Sequence, residues 1–267
     1  MLDLPVPRYM TSPVFSISAD ATLDSARQRL AQHNVSSLLV YDEGRPVAGV
    51  ISRSDLLAVG TVELDPEHGA LHLHLPPKKV RELATIGVVT VDPEVATVQA
   101  AAQRMVEQSV HRVFAVEACH AYGVVSTRDV TRAIADARLT QPVRTVMSTP
   151  VHTIDCSLEI ESALARLRDV GTSALVVIDS SKWPVGILTQ VEALEARGFF
   201  SVDSVDRVVS TRFIAVHPES ALHHVAARAV ATRARHALVL DRDEIVGIVS
   251  GLDFARAAAE WEPKHAA

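Results

Sequence analysis

The sequence predicts a mixed α/β (α+β) protein assembled from four copies of one strand–helix–strand–strand–helix unit. Three observations carry this expectation. Four amphipathic stretches are each followed, 13 residues after their leading apolar position, by Ser36, His111, Ser173 and Arg235. Four glycine-led strands each reach an acid six residues later: Gly49 to Asp55, Gly123 to Asp129, Gly186 to Glu192 and Gly247 to Asp253. The chain is 48% hydrophobic but only 4% aromatic, so its core must be built from Val, Ile, Leu and Ala, a mix that suits parallel strands covered by helices. A spacing held four times marks internal duplication.

Each unit opens with a short β-branched strand: Val14–Ile17, Val88–Val91, Val151–Ile154 and Phe213–Val216. The helix follows, with apolar residues at i, i+3 and i+7, as in Leu23/Ala26/Leu30, Val98/Ala101/Met105, Ile160/Ala163/Leu167 and Leu222/Val225/Ala229. Next come apolar strands at Leu38–Tyr41, Val113–Val116, Leu175–Ile178 and Leu238–Leu240, then the glycine-led strands and a second helix starting near each acid. The units are expected at 1–60, 81–138, 139–198 and 199–262, with 61–80 an insertion broken by Pro66, Gly69 and Pro76-Pro77. The first and third share Met10-Thr-Ser-Pro13 and Met147-Ser-Thr-Pro150, whereas the second and fourth share His111-Arg112 and Arg235-His236. A two-unit module duplicated whole explains this alternation.

Composition bounds the function. A net charge of −6 argues against bulk nucleic-acid binding. Cys119 and Cys156 lack metal-ligand or redox spacing and fit buried thiols in a reducing compartment. No apolar run approaches the roughly 20 residues of a membrane span. The N-terminus carries no secretory leader, so a cytoplasmic location is expected. Phosphate-loop, serine-elbow and zinc-protease motifs are missing, and no enzyme activity is expected.

The chemistry gathers at the hydroxyl-x-x-acid segments Ser52–Asp55, Ser126–Asp129, Thr189–Glu192 and Ser250–Asp253. Such a segment is also a helix capping box, worth roughly 1 kcal/mol, which would explain the recurrence without any ligand. Two features favour a ligand. Capping boxes prefer Glu or Gln, yet three copies use Asp, whose short carboxylate suits the vicinal hydroxyls of a ribose. His111-Arg112 and Arg235-His236 sit beside two of these helix starts, and a guanidinium, an imidazole and a helix N-terminus make a phosphate site. Together they imply a nucleotide.

These units resemble CBS (cystathionine β-synthase) domains, which pair into Bateman modules. The Gly-hydrophobic-hydrophobic-Thr/Ser-x-x-Asp signature stands in full at Gly49–Asp55, Gly123–Asp129 and Gly247–Asp253, and the likeness covers nearly the whole chain. Val110-His-Arg-Val113 further resembles the nucleotide-binding repeat of the regulatory γ subunit of AMP-activated protein kinase. The resemblance implies two tandem modules whose inter-repeat clefts take AMP, ADP, ATP or S-adenosylmethionine as regulatory ligand. It assigns ribose to Asp55, Asp129 and Asp253, and phosphate or ribose to Ser52, Ser126 and Ser250. Phosphate neutralisation falls to His111, Arg112, Arg235 and His236. Thr11 and Val14, with Ser148 and Val151, match the segment around the base. Val35 and Ser36, with Thr172 and Ser173, match the strand edge that completes the cleft.

Glu192 departs from the signature and suits capping, so its half-site is expected to be empty or altered. The Asp129 site is expected to be best formed and the Asp253 site second. A homodimer or a two-module pseudo-dimer and an unidentified regulated protein follow from the resemblance, with no membrane or nucleic-acid partner. A scaffold that has lost its ligand is the alternative.

Other features are weaker. His68, His72 and His74 in the insertion could bind a metal, although a solvated strand or loop is the plainer reading. His223-His224 reads as exposed helix surface. Arg228, Arg233 and Arg235 could form an anion patch. Trp183 and Trp261 could each pack on a partner or within the chain.

Overall fold

Each repeat is led in by one turn of 3₁₀ helix that hydrophobic periodicity does not signal. In the first repeat this turn, Val6–Arg8, precedes β1 (Ser16–Ser18), α1 (Leu23–Gln32), β2 (Ser37–Asp42), β3 (Arg45–Ser52) and α2 (Arg53–Val59). A hairpin of β4 (Thr61–Leu64) and β5 (Leu71–His74) follows. The second repeat has its turn at Val80–Glu82, then β6 (Thr90–Val91), α3 (Val98–Glu107), β7 (Arg112–Glu117), β8 (His120–Ser126) and α4 (Thr127–Asp136). The third has a turn at Val143–Thr145, β9 (Thr153–Asp155), α5 (Ile160–Val170), β10 (Ala174–Ile178) and β11 (Pro184–Thr189). The fourth has a turn at Val205–Arg207, β12 (Phe213–Val216), α6 (Leu222–Thr232), β13 (His236–Asp241), β14 (Glu244–Val249) and α7 (Gly251–Ala259). The structure is a computed structural model describing residues 3–43, 45–64, 71–117, 120–170, 172, 174–189, 192 and 203–262.

All four repeats build the same three-stranded sheet. The first strand runs parallel to the second, and the second pairs antiparallel with the third. The opening strands begin later than periodicity predicts in three repeats. Leu39, Phe114 and Val176 donate their N–H groups to the carbonyls of Phe15, Val89 and His152, so the ladder starts only from those residues.

The lead-in turns do not pack on the strand that follows them. Val6 donates its N–H to Ala96 O, and Thr11 and Val124 exchange both backbone bonds, so the segment before the first repeat belongs to the sheet of the second. Val80 donates to Ala21 O, and Thr85 and Val50 exchange bonds in return. The later repeats repeat this swap through Ser148 with Ile248 and Ser210 with Ile187. Val6, Val80, Val143 and Val205 are completely buried, each plugging the core of the repeat it joins.

This crossing explains the leading glycines. A Cβ on Gly123 would stand 2.8 Å from Met10 Cγ, and one on Gly49 would stand 2.7 Å from the Thr85 carbonyl oxygen. Gly247 meets Met147 and Gly186 meets Val209 in the same way. Only a residue without a side chain lets the lead-in segment cross so closely.

The chain forms two compact units, each drawing one repeat from either half of the sequence. One comprises Met1–Val14, Val88–Val151 and Arg212–Ala267, and the other Phe15–Gly87 and His152–Thr211. In the first, α3 packs on α7, and α4 packs on both α6 and α7. Alanines at 101, 102, 133, 226, 255, 257 and 258 line this contact, so the helices approach closely around one continuous core. Gln99 and Gln103 donate to the carbonyl of Ala259, and Gln99 also to that of Trp261, satisfying the end of α7. Trp261 packs against the same core, which settles on the intramolecular contact for it.

The second unit holds two separate cores, one centred on Ile17, Leu30, Leu38 and Ile51 and one on Leu167, Leu175 and Leu188. Asp20 ties the lead-in of the second repeat to the first, accepting from Lys79 Nζ at 2.8 Å and Arg81 Nη2 at 2.6 Å. These two bonds lower the Asp20 pKa. Within the insertion β4 and β5 pair antiparallel, with Glu63 opposite His72 and Thr61 opposite His74, so His72 and His74 lie on a strand. His68 and Cys119 lie outside the described residues, and Cys156 is a half-buried free thiol. Among the described residues no cluster of three or more His, Cys, Asp or Glu could hold a metal. No described helix is long and apolar enough to cross a membrane.

Candidate functional site

In three of the signatures the hydroxyl and acid close a capping box. In the second repeat Ser126 ends β8, and Asp129 Oδ2 accepts from Ser126 N at 2.9 Å and Ser126 Oγ at 2.7 Å. Asp55 Oδ2 accepts from Ser52 N and Oγ at 2.7 Å each, and Asp253 Oδ2 from Ser250 N and Oγ at 2.7 Å each. Glu192 is buried and turns back onto Thr189, accepting from its N–H and hydroxyl. All four acids therefore turn back onto the hydroxyl residue three positions before them, and Asp is no less committed to those bonds than Glu. What distinguishes the three aspartates is the second oxygen, Oδ1.

The basic pair of the second repeat is brought to the same place. Arg112 lies directly opposite Ser126 in the β7–β8 ladder, and Thr127 N donates to His111 O at 3.0 Å. The start of β7 thus meets the end of β8 beside the first turn of α4, a ten-residue helix. Thr11 joins from the lead-in segment, paired with Val124 two residues before Ser126, and the half-buried Val14 follows it. Thr11, His111, Arg112, Ser126 and Asp129 consequently converge within one unit. His111 keeps an exposed surface, yet desolvation by its surroundings, and then the neighbouring Arg112 charge, lowers its pKa. A neutral imidazole next to a permanent guanidinium offers an anion one fixed charge and one N–H donor.

The fourth repeat reproduces this frame with different details. Ser148 and Ile248 exchange backbone bonds, and Ser148 Oγ donates to Asp253 Oδ1 at 2.8 Å. Val151 is half-buried beyond it. Arg235 N donates to Arg212 O, and His236 lies opposite Phe213 in the ladder. A Cβ on Gly251 would come within 2.5 Å of Thr127 Oγ1 in the second repeat, so the starts of α4 and α7 are in close approach.

In the other unit, Ser36 O accepts from Arg53 N at 3.1 Å, and Ser37 lies opposite Ser52. Val35, half-buried, donates its N–H to Leu30 O, so Val35, Ser36, Ser52 and Asp55 form the matching set. Thr172 Oγ1 donates to the Ala174 carbonyl, and Ser173 lies outside the described residues.

Sequence reasoning missed the two arginines that reach these acids. Arg132 and Arg256 stand three residues after Asp129 and Asp253, on the same helix face, and the signal was that i,i+3 spacing. Arg256 Nη1 donates to Asp253 Oδ1 at 2.9 Å. Arg132 Nη2 is instead drawn to the Tyr9 carbonyl at 2.6 Å, with its guanidinium over the Tyr9 ring, and stands 3.3 Å from Asp129 Oδ1. Tyr9 is fixed by its own hydroxyl, which donates to Asp136. In the first repeat the corresponding residue is Ala58.

Comparison with known proteins agrees with this architecture. Structures similar over nearly the full length include protein MJ1225 from Methanocaldococcus jannaschii, proposed as an archaeal homologue of the AMPK γ subunit. It has a TM-score of 0.73 and 17% identity, covering 95% of this chain and 99% of that one. An uncharacterised conserved protein from Pyrococcus horikoshii has a TM-score of 0.69 and 18% identity, covering 96% and 100%. In sequence, an uncharacterised 17.7 kDa protein of Acidianus ambivalens is 27% identical over 161 residues, or 58% of this chain and 90% of the relative. The family profile of the CBS domain matches four successive blocks, residues 6–60, 80–136, 143–198 and 205–260. The chain belongs to the CBS domain family and carries four of its repeats.

Proposed function

We propose that this protein is a regulatory sensor that binds an adenine nucleotide or a related adenosyl ligand and passes the occupancy on by conformational change. The observation that carries the reading is the convergence of Arg112 and His111 on the Ser126–Asp129 turn at the start of α4. Capping accounts for Asp129 Oδ2 but not for the basic pair, nor for a second oxygen held only by a 3.3 Å contact to Arg132. In this reading Arg112 and the helix start take phosphate, Asp129 takes ribose hydroxyls, and Thr11 and Val14 border the base. The family membership supports a binding role over catalysis.

A signal requires that the ligand bind one conformation more tightly than another, since equal affinity shifts nothing. The listener is a regulated protein or a second copy of the chain. The scaffold alternative draws on one fact: all four acids are already bonded to the N–H of the hydroxyl residue three positions before them.

Thermal shift with AMP, ADP, ATP, S-adenosylmethionine and NADH tests the reading. Ligand at 100 times its dissociation constant stabilises by about 2.7 kcal/mol, a rise of roughly 5–10 °C for a chain of this size. Silence from every compound would leave the scaffold.

A further inference from the structure

The three signature aspartates differ in how much of their hydrogen-bonding capacity the protein itself uses. An ionised carboxylate offers about four acceptor positions, two on each oxygen. At Asp253 all four are filled: Ser250 N and Oγ on Oδ2, and Ser148 Oγ and Arg256 Nη1 on Oδ1. At Asp129 the same cap fills Oδ2, but Oδ1 has only the long contact to Arg132. At Asp55, Oδ1 has no partner among the described residues. Exposure follows the same order for the arginine-bearing pair, with 5% of the Asp253 side chain accessible against 14% for Asp129.

Two substitutions between otherwise matching positions produce the difference. Tyr9, beside the Val6–Arg8 turn that joins the second repeat, is matched by Val146, beside the Val143–Thr145 turn that joins the fourth. The Arg132 guanidinium lies over the Tyr9 ring, bonds the Tyr9 carbonyl at 2.6 Å and stands 3.3 Å from Asp129 Oδ1. Val146 has no ring, and Arg256 settles fully on Asp253. Thr11 is matched by Ser148. Thr11 makes no side-chain hydrogen bond to Asp129 among the described residues, whereas the Ser148 hydroxyl sits on Asp253 as a ligand hydroxyl would.

We propose that Ser148 and Arg256 occupy the Asp253 site from within, so that this site is closed to a diol-bearing ligand while the Asp129 and Asp55 sites are open. The Ser148 hydroxyl stands in for one hydroxyl of the ligand, and Arg256 supplies the charge that keeps the buried carboxylate paired. The protein thereby senses through fewer sites than it has signatures. This inference rests on the adenosyl-ligand reading above for the identity of the ligand, not for the closure itself.

The test counts AMP bound per chain at saturation by equilibrium dialysis, on the full-length protein and variants whose melting shows them folded. In the wild type, Asp253→Ala is expected to leave the count unchanged. Ser148→Ala, which frees one acceptor, is expected to add one AMP per chain, and adding Asp253→Ala to it is expected to remove that AMP again. Arg256→Ala, which introduces the residue found at Ala58, frees the other acceptor and is expected to act alike should Ser148→Ala fold poorly. A structural role alone creates no new site. The closure is overturned if neither variant gains an Asp253-dependent AMP, or if Asp253→Ala alone lowers the wild-type count. A wild type that binds no AMP counts against the sensor reading, and the closure is then decided by whether the variants gain binding.

Discussion

Met10 lies across Gly123 so closely that a methyl group on the glycine would meet Met10 Cγ at 2.8 Å and Cβ at 3.1 Å. The recurring glycine of the repeat is thus a crossing point for the lead-in segment, not a turn. Gly123→Ala is expected to lower stability by about 1–3 kcal/mol through overpacking. Met10→Ala in the same chain should restore part of that, because the crowding atom is the flexible end of a side chain. Gly49→Ala has no such remedy, since the atom it meets is the Thr85 carbonyl oxygen that bonds Val50. Urea midpoints of the single and double variants decide the matter; equal losses with and without Met10 would rule out crowding as the cause.

A second expectation concerns the ends of the first helices. Asn34, Ser109 and Arg233 each stand 11 residues after the leading residue of α1, α3 and α6, with φ of 50°, 51° and 57°. This left-handed position closing the helix C-terminus is one that glycine normally fills, and an L side chain there costs roughly 1–2 kcal/mol. Ser109→Gly and Arg233→Gly are expected to gain about 0.5–1 kcal/mol in thermal unfolding. Asn34→Gly should gain less, because asparagine tolerates this conformation. An equal gain at all three positions would show that the side chain is not the source of the cost.

The repeat unit was legible because two periods, 3.6 in the helices and 2 in the strands, recur at constant spacing from Leu23 to Asp253. The lead-in turns were not, since three residues around Val6 or Val80 are too short to carry a period. Yet those valines stand 17 or 18 residues ahead of each first helix, a spacing that itself marks them. Which repeats share a core was also hidden. The alanines of α3, α4, α6 and α7 mark a close helix contact, but periodicity within one helix does not name its partner. At the site, the residues flanking Asp129 were readable from the motif. The arginines at 132 and 256 were not distinguished, because the difference between them is made by Tyr9, remote in sequence and adjacent only through the swap.

His111 predicts a pH dependence. Its folded pKa lies below the usual imidazole value, first through desolvation and then through Arg112. The folded protein therefore binds this proton more weakly than the unfolded chain does. Stability is complete above the unfolded pKa of about 6.5 and declines as pH falls through it toward the folded value. His111→Gln is expected to flatten that decline between about pH 7.5 and pH 5.5 in thermal melts. A phosphate bound beside the ring favours the imidazolium, so nucleotide binding should take up a proton and tighten as pH falls from about 8 to about 6. Calorimetry in two buffers of different ionisation enthalpy reads the proton directly, and no uptake would remove His111 from the phosphate site.

The sharpest separation of capping from binding uses the substitution that the third repeat already contains. Glu192 reaches back to the Thr189 N–H and hydroxyl, so a glutamate can make the same two bonds that Asp129 makes to Ser126. Asp129→Glu should therefore keep the cap and melt within about 0.5 kcal/mol of the wild type, whereas Asp129→Ala should lose about 1 kcal/mol with the cap. The two variants should nevertheless weaken nucleotide binding together. The longer side chain carries its outer oxygen away from the position that Asp129 Oδ1 holds, and losing a charge-assisted contact costs about 1.5–3 kcal/mol, or roughly 10- to 150-fold in affinity. If Asp129→Glu binds as the wild type does, the carboxylate is serving only the helix, and the ribose contact must be sought elsewhere. If it melts like Asp129→Ala, the substitution has broken the cap as well. Asp55→Glu, at the turn with no arginine three residues on, then repeats the comparison on a carboxylate whose second oxygen has no partner among the described residues.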